Sequence, residues 1–205
     1  MHELGIPLVA DHVGGLLGLA LLAFGAVGGI AHGITLGERF DTKHWRQPSG
    51  KGFLQSHRVY IAALDLMLNA KQAGQVIGFS SRTKARFGCS DATCCRRGVS
   101  DMLENPACHF MVQRSKQVAE LSQISEQLRA HCFLELEKSL RPTSDMAVAA
   151  TNVDWDNREM QAKMDRNRKR LDSLRVALSV HADERSPVSY ALHPERRATR
   201  ENRAS

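Results

Sequence analysis

The chain has 205 residues (22.7 kDa), 42% hydrophobic and 24% charged, which excludes a disordered polymer and allows one good core or a domain with a helical extension. Its formal net charge is +6 and its pI about 9.3; the excess gathers at Arg166, Arg168, Lys169 and Arg170 and at Arg196, Arg197, Arg200 and Arg203. Five cysteines, clustered and without a secretory signal ahead of them, argue against a disulfide framework and for a reducing, cytoplasmic setting where thiolates can meet a metal.

The chain opens on Ile6-Pro7-Leu8-Val9-Ala10-Asp11, an apolar run ending in a carboxylate. Followed by a Gly-rich turn, it predicts a buried strand over about 6–10 and a parallel α/β unit. From Val13 to Ile34 there is no Asp, Glu, Lys or Arg. A stretch of roughly 20 such residues spans a bilayer, so a single-pass membrane helix over 13–34 is one reading. Lys43, Arg46, Lys51 and Arg58 would then set the following chain in the cytoplasm. The pairs Gly14-Gly15 and Gly28-Gly29 and the imidazole of His32 break the stretch, each glycine costing a helix about 1 kcal/mol against Ala. The preferred expectation is a buried helix over about 13–22, a strand-like segment over 22–27, and a loop at 28–33. Gly28, Gly29, His32 and Gly33 in that loop are candidates to cradle a phosphate through backbone amides, though such glycines also serve close packing.

Residues 38–52 are polar, with Pro48 to Gly52 a loop. Arg58 to Leu64 predicts a second strand, Asp65 follows it, and Asn69 to Ile77 predicts a helix stopped by Gly78. The expected fold over 1–87 is thus an α/β part, a partial parallel sheet or a partial (β/α) barrel. A closed barrel needs eight such units. The chain is therefore expected to continue a larger architecture or to need a partner, whether another chain or a missing N-terminal barrel half.

Residues 88–109 carry the chemistry. Cys89-x4-Cys94-Cys95 supplies three thiolates in one turn-sized loop, and Gly88 and Gly98 let the backbone curl around an ion. Structural zinc takes four soft ligands in a tetrahedron. Cys108 or His109 can complete the set; His131 and Cys132 form a second pair, available if the helices fold back. Arg96 and Arg97 are expected to lower the thiol pKa values. The spacing is not that of a standard finger, and small buried cysteines are also ordinary core residues.

Behind this metal knot the chain is all-α. Expected are a short helix over 98–105, a helix from Pro106 to about Ile124, and one over 126–140 ended by Pro142. A short Ala-rich helix capped by Thr143 or Ser144 comes next, with Trp155 in the polar connector. The longest helix is expected over 157–183, its apolar stripe formed by Met160, Met164, Leu171, Leu174 and Leu178. Arg166, Arg168, Lys169 and Arg170 make its other face a candidate nucleic-acid contact. The expected divisions are 1–87, 88–109, 110–186 and a basic tail over 187–205.

The order of these features, an Asp-ended strand, a Gly-Gly loop, a strand–helix unit and a compact cluster of three cysteines and a histidine, is similar to the C-terminal part of the tRNA-guanine transglycosylase superfamily. The resemblance reaches over 6–135. It implies a (β/α)8 barrel with a zinc-binding insertion, base exchange on nucleic acid, and ligand roles for Cys89, Cys94, Cys95 and His109. The family's pattern has a first spacing of one residue where this chain has four, and a histidine further downstream. Asp11, at a strand end, is the one candidate for a barrel nucleophile. The alternatives are a non-enzymatic zinc-stabilised interaction module and the membrane protein described above.

Overall fold

A computed structural model describes residue 6 and residues 8–34 and 58–185, with side chains described through Ala182. The polar segment at 38–52 and the tail from 187 lie outside these residues.

The N-terminal apolar run forms β1 (Val9–Asp11), α1 (Gly15–Ala23) and β2 (Gly29–Ala31), the two strands being parallel with Ala10 opposite Ile30. A parallel strand–helix–strand unit is thus present, but shifted from its expected place. The 22–27 segment is the end of α1 and its turn, and residues 29–31 of the expected loop are strand. Gly25 adopts φ +62 in that turn, which only glycine does without strain. The helix is nine residues long, and among the described residues no helix is long and apolar enough to cross a membrane. Glycines account for this correction: Gly14-Gly15 opens the helix and Gly25 turns the chain out of it.

The second expected strand–helix unit takes another form. β3 (Val59–Ile61) runs through a 3-10 turn (Ala62–Leu64) into β4 (Leu66–Leu68), pairing antiparallel with Tyr60 opposite Met67. Asp65, in the left-handed region at φ 44, reverses the chain. The described strands form two two-stranded sheets, one parallel and one antiparallel, so no barrel is seen among the described residues.

Helices make up the rest. α2 (Ala70–Gly78) and α3 (Ser81–Phe87) each begin with a capping box, Asn69 with Gln72 and Ser80 with Thr83, which satisfies helix-start amides in both directions. α3 continues the chain beyond the expected stop at Gly78. α4 (Val99–Glu104) and α5 (Pro106–Ser122) follow the knot, with Pro106 in the first turn of α5, where its missing N–H costs nothing. α6 (Glu126–Glu135) ends earlier than expected, and α7 (Leu140–Thr151) begins at Ser139. Pro142 therefore sits in the first turn of a helix rather than ending one, and Thr143 and Ser144 are buried inside it. α8 (Arg158–Arg185) is the long helix.

One buried cluster joins both sides of the knot. It includes Leu16 and Leu19 of α1, Val59 and Ile61 of β3, Val76 of α2, Met102 of α4, Leu140 of α7 and Met164 and Leu171 of α8. Trp155 is buried against it, its indole N–H donating to the Ala150 carbonyl at 2.8 Å. Polar ties reinforce the same joints. The buried Asp65 carboxylate accepts from the Leu16 amide at the start of α1 (3.1 Å), from the Tyr60 hydroxyl (3.1 Å) and from Arg170 on α8 (2.9 Å). Asn167 donates to the Leu64 carbonyl at 2.8 Å.

Candidate metal centre

Local geometry brings the knot together before any ion is considered. α3 ends at Gly88, where a Cβ would lie 2.6 Å from the Lys84 carbonyl oxygen and 2.9 Å from a Val99 methyl, so only glycine lets the chain turn there into Cys89. The Asp91 carbonyl accepts from the amides of Cys94 (3.1 Å) and Cys95 (2.7 Å), folding the loop back on itself. Gly98, at φ +62, turns the chain out of the loop and into α4. The Asp91 side chain accepts from the Thr93 amide and hydroxyl and is clamped by Lys116, reaching in from α5. That ammonium, with Thr93, holds the Asp91 carboxyl well below the usual carboxylate range.

α5 supplies the fourth group. His109 lies one turn into the helix, where its ring is buried. Its Nε2 is 2.9 Å from the Tyr60 carbonyl of β3. A carbonyl only accepts, so Nε2 carries the proton and Nδ1 keeps its lone pair. Nδ1 faces Cys94 Sγ and Cys95 Sγ, both at 3.3 Å, and those sulfurs are 3.7 Å apart. Ligand atoms of Cys89, Cys94, Cys95 and His109 all lie within 4.8 Å of one another. A tetrahedral zinc with sulfur at ~2.3 Å and nitrogen at ~2.0 Å sets its ligand atoms ~3.5–3.8 Å apart. The four residues therefore lie close enough together to bind a metal ion, and the donor set suits a soft or borderline one.

Both adjacent cysteines take part, because the turn at Asp91 points the two sulfurs to the same side. Cys108 is exposed and lies outside the cluster, as does Cys132, which lines a small apolar groove between α1, α5 and α6. His131 is also exposed and apart from it.

Electrostatics departs from expectation. Arg97 is drawn away to Asp101 and Glu104, and Arg96 is exposed. Burial dominates instead, pushing the thiols of Cys94 and Cys95 up and holding His109 below its ordinary value. A divalent cation reverses that logic: it takes the place of the thiol protons, and a neutral imidazole is already the ligating form.

The other candidates lie apart from this centre. Gly28, Gly29, His32 and Gly33 line a cleft of about 1030 Å³ facing Phe110 and Arg114 of α5. The Gly28 amide is spent on the Leu8 carbonyl (2.8 Å), and His32 Nδ1 lies 3.0 Å from the Gly33 carbonyl. Asp11 points outward with its carboxylate 70% exposed, contacts His12, and is not among the residues lining the cleft. On α8, Arg170 is committed to Asp65 and Arg168 to Asp172, while Arg166 and Lys169 are exposed.

Sequence reasoning missed Asp65 and Lys116. Asp65 stands between two apolar triplets, a signal of a charged residue forced inside, but its partners lie 49 and 105 residues away. Comparison with protein-family models, with curated proteins and with solved structures returns no match. The resemblance to transglycosylases thus rests on the pattern of residues alone.

Proposed function

We propose that this chain is a zinc-stabilised interaction module in which Cys89, Cys94, Cys95 and His109 hold a structural Zn²⁺. The observation that carries this reading is the orientation of His109: Nε2 is engaged by the Tyr60 carbonyl and Nδ1 is aimed at two sulfurs. Outer partners of this kind fix the tautomer and ring angle of metal-bound histidines. Three sulfurs and one nitrogen fill a tetrahedron, leaving no position for a substrate or water, which is the mark of a structural site. The zinc would tie the loop after α3 to α5 and, through His109, to β3. Reduced thiols suit a cytoplasmic setting.

Base exchange is the weaker reading. It needs an acidic nucleophile inside a ligand cleft, and Asp11 is exposed and does not line the cleft at Gly28–Gly33.

Metal analysis of the purified protein tests the proposal. One equivalent of zinc per chain is expected. His109→Gln and Cys94→Ser should lose most of it, while Cys108→Ser and Cys132→Ser should keep it. A wild-type protein purified gently from zinc-replete cells with under about half an equivalent would overturn the proposal.

A further inference from the structure

About half of the described Lys and Arg side chains outside one helix ion-pair with a carboxylate. Arg97 meets Asp101 and Glu104, Lys116 meets Asp91, Arg170 meets Asp65, and Arg141 meets Glu135. Helix α3 is different. Arg82, Lys84 and Arg86 are all exposed, and no carboxylate ion-pairs with any of them among the described residues. From Leu66 to Ser90 the chain carries Lys71, Arg82, Lys84 and Arg86 and no acidic residue.

Helix stability explains only part of this. Lys84 and Arg86 fall in the last turn, where cations suit the carbonyl end of the helix. Arg82 falls in the first turn, where the positive end of the helix disfavours it. Arg82 and Arg86, four residues apart, share one face and reach about 6 Å from each other at Cβ. That face forms one wall of a groove of about 270 Å³ whose other wall is Ala149 of α7 and Asn152 and Val153 just after it. Phe79, in the turn between α2 and α3, stands at its mouth with 44% of its surface exposed. The ring is held against Trp155 at 5.0 Å between centroids, so its position is fixed by packing.

We propose that the α2–α3 turn and the exposed face of α3 form a docking surface for single-stranded nucleic acid, with Phe79 stacking a base and Arg82 and Arg86 holding phosphates. An anchored aromatic next to unneutralised guanidinium groups is the combination such strands bind, and a duplex keeps its base faces stacked and out of reach. Asp154 and Asp156 flank Trp155 in the chain and are exposed. They repel a polyanion from that side, so the strand runs from Phe79 along α3 toward Arg86.

Fluorescence anisotropy of a dye-labelled oligothymidylate, titrated with the full chain over a series of salt concentrations, tests this. Two phosphate contacts give a slope of about −1.4 in log K against log salt for a single strand. Arg82→Gln with Arg86→Gln should flatten it to near zero and weaken low-salt binding at least tenfold. Phe79→Ala should weaken binding about tenfold with the slope unchanged. Arg82→Lys with Arg86→Lys should keep the slope, and Arg166→Gln with Lys169→Gln should change neither quantity. Circular dichroism melting confirms that each variant is folded. The proposal is overturned if wild type fails to bind at low salt, or if the Arg82/Arg86 pair is without effect. It is equally overturned if oligoglutamate or the matching duplex competes as well as the single strand.

Discussion

Replacing Asp65 by Asn removes one negative charge from an interior that depends on it. The carboxylate is 1% exposed and accepts from the start of α1, from β3 and from α8. Deleting one partner of a buried ion pair costs about 3–5 kcal/mol when the remaining charge is fully enclosed. Arg170 is one-third exposed and also donates to the Asp65 carbonyl and to Asn167, and the enclosed Arg114, 3.8 Å from the carboxylate, keeps Gln117 and the faces of Tyr60 and Phe110, so the lower part of that range or less applies. An Asn oxygen still accepts from the Leu16 amide but without charge assistance, a loss of about 1 kcal/mol. The sum for Asp65→Asn is about 2–3 kcal/mol. Asp65→Ala should cost about 4 kcal/mol, because it also leaves the Leu16 amide and the Tyr60 hydroxyl without their acceptor. Urea unfolding followed by circular dichroism measures both, and the slope m should be unchanged. The reasoning is refuted if Asp65→Asn lies within 0.5 kcal/mol of wild type, on the order of a neutral surface change, or if Ala is no worse than Asn.

Two glycines should respond oppositely to the same substitution. Ala for Gly within a helix normally stabilises by up to about 1 kcal/mol, and at Gly74 in α2 nothing lies within 4 Å of the added methyl, so the melting temperature should rise. At Gly18 the methyl would sit 2.4 Å from the Val13 carbonyl oxygen, and Gly18→Ala should lower it; a rise there would contradict the close packing of α1 on the turn before it. Metal-free protein should show a stability plateau bounded on both sides. His109 is held below its ordinary 6.5, so its contribution is present above pH 6.5 and is lost as pH falls through the depressed value. Cys94 and Cys95 are pushed above their ordinary 9.0, so theirs is present below pH 9.0 and declines as pH rises beyond it. Thermal melts of chelator-treated protein across this range check it, and stability that increases on acidification below 6.5 would show the wrong sign.

The residues of the candidate metal centre were legible because they are close in sequence. Three cysteines in a loop bounded by Gly88 and Gly98 converge whatever the rest of the chain does, and His109 follows one helix later. What sequence did not decide between Cys108 and His109 was helix phase: one residue of rotation, about 100°, turns Cys108 to solvent and His109 to the sulfurs. The helices behind the knot were readable from their apolar spacing, except where Pro142 reads equally as a stop or as a first-turn residue. The N-terminal sheet was not. Its strands are three residues long, too short for alternation to show, and β4 exists only because Asp65 reverses the chain. Partial strand signals at both ends of a glycine-rich run therefore suggested more units of a barrel than the described residues contain. The run at Arg166 to Arg170 shows a related limit. Charge counts do not reveal that Arg168 and Arg170 have carboxylate partners while Arg166 and Lys169 stay exposed.

X-ray absorption at the zinc edge of the purified full chain tests the metal centre most directly. Three sulfur scatterers at ~2.3 Å and one nitrogen at ~2.0 Å are expected, with the nitrogen lost in His109→Cys and a sulfur lost in Cys95→Ser. A first shell of oxygen, or a zinc whose shell is unchanged by both substitutions, would contradict the assignment of Cys89, Cys94, Cys95 and His109 as its ligands.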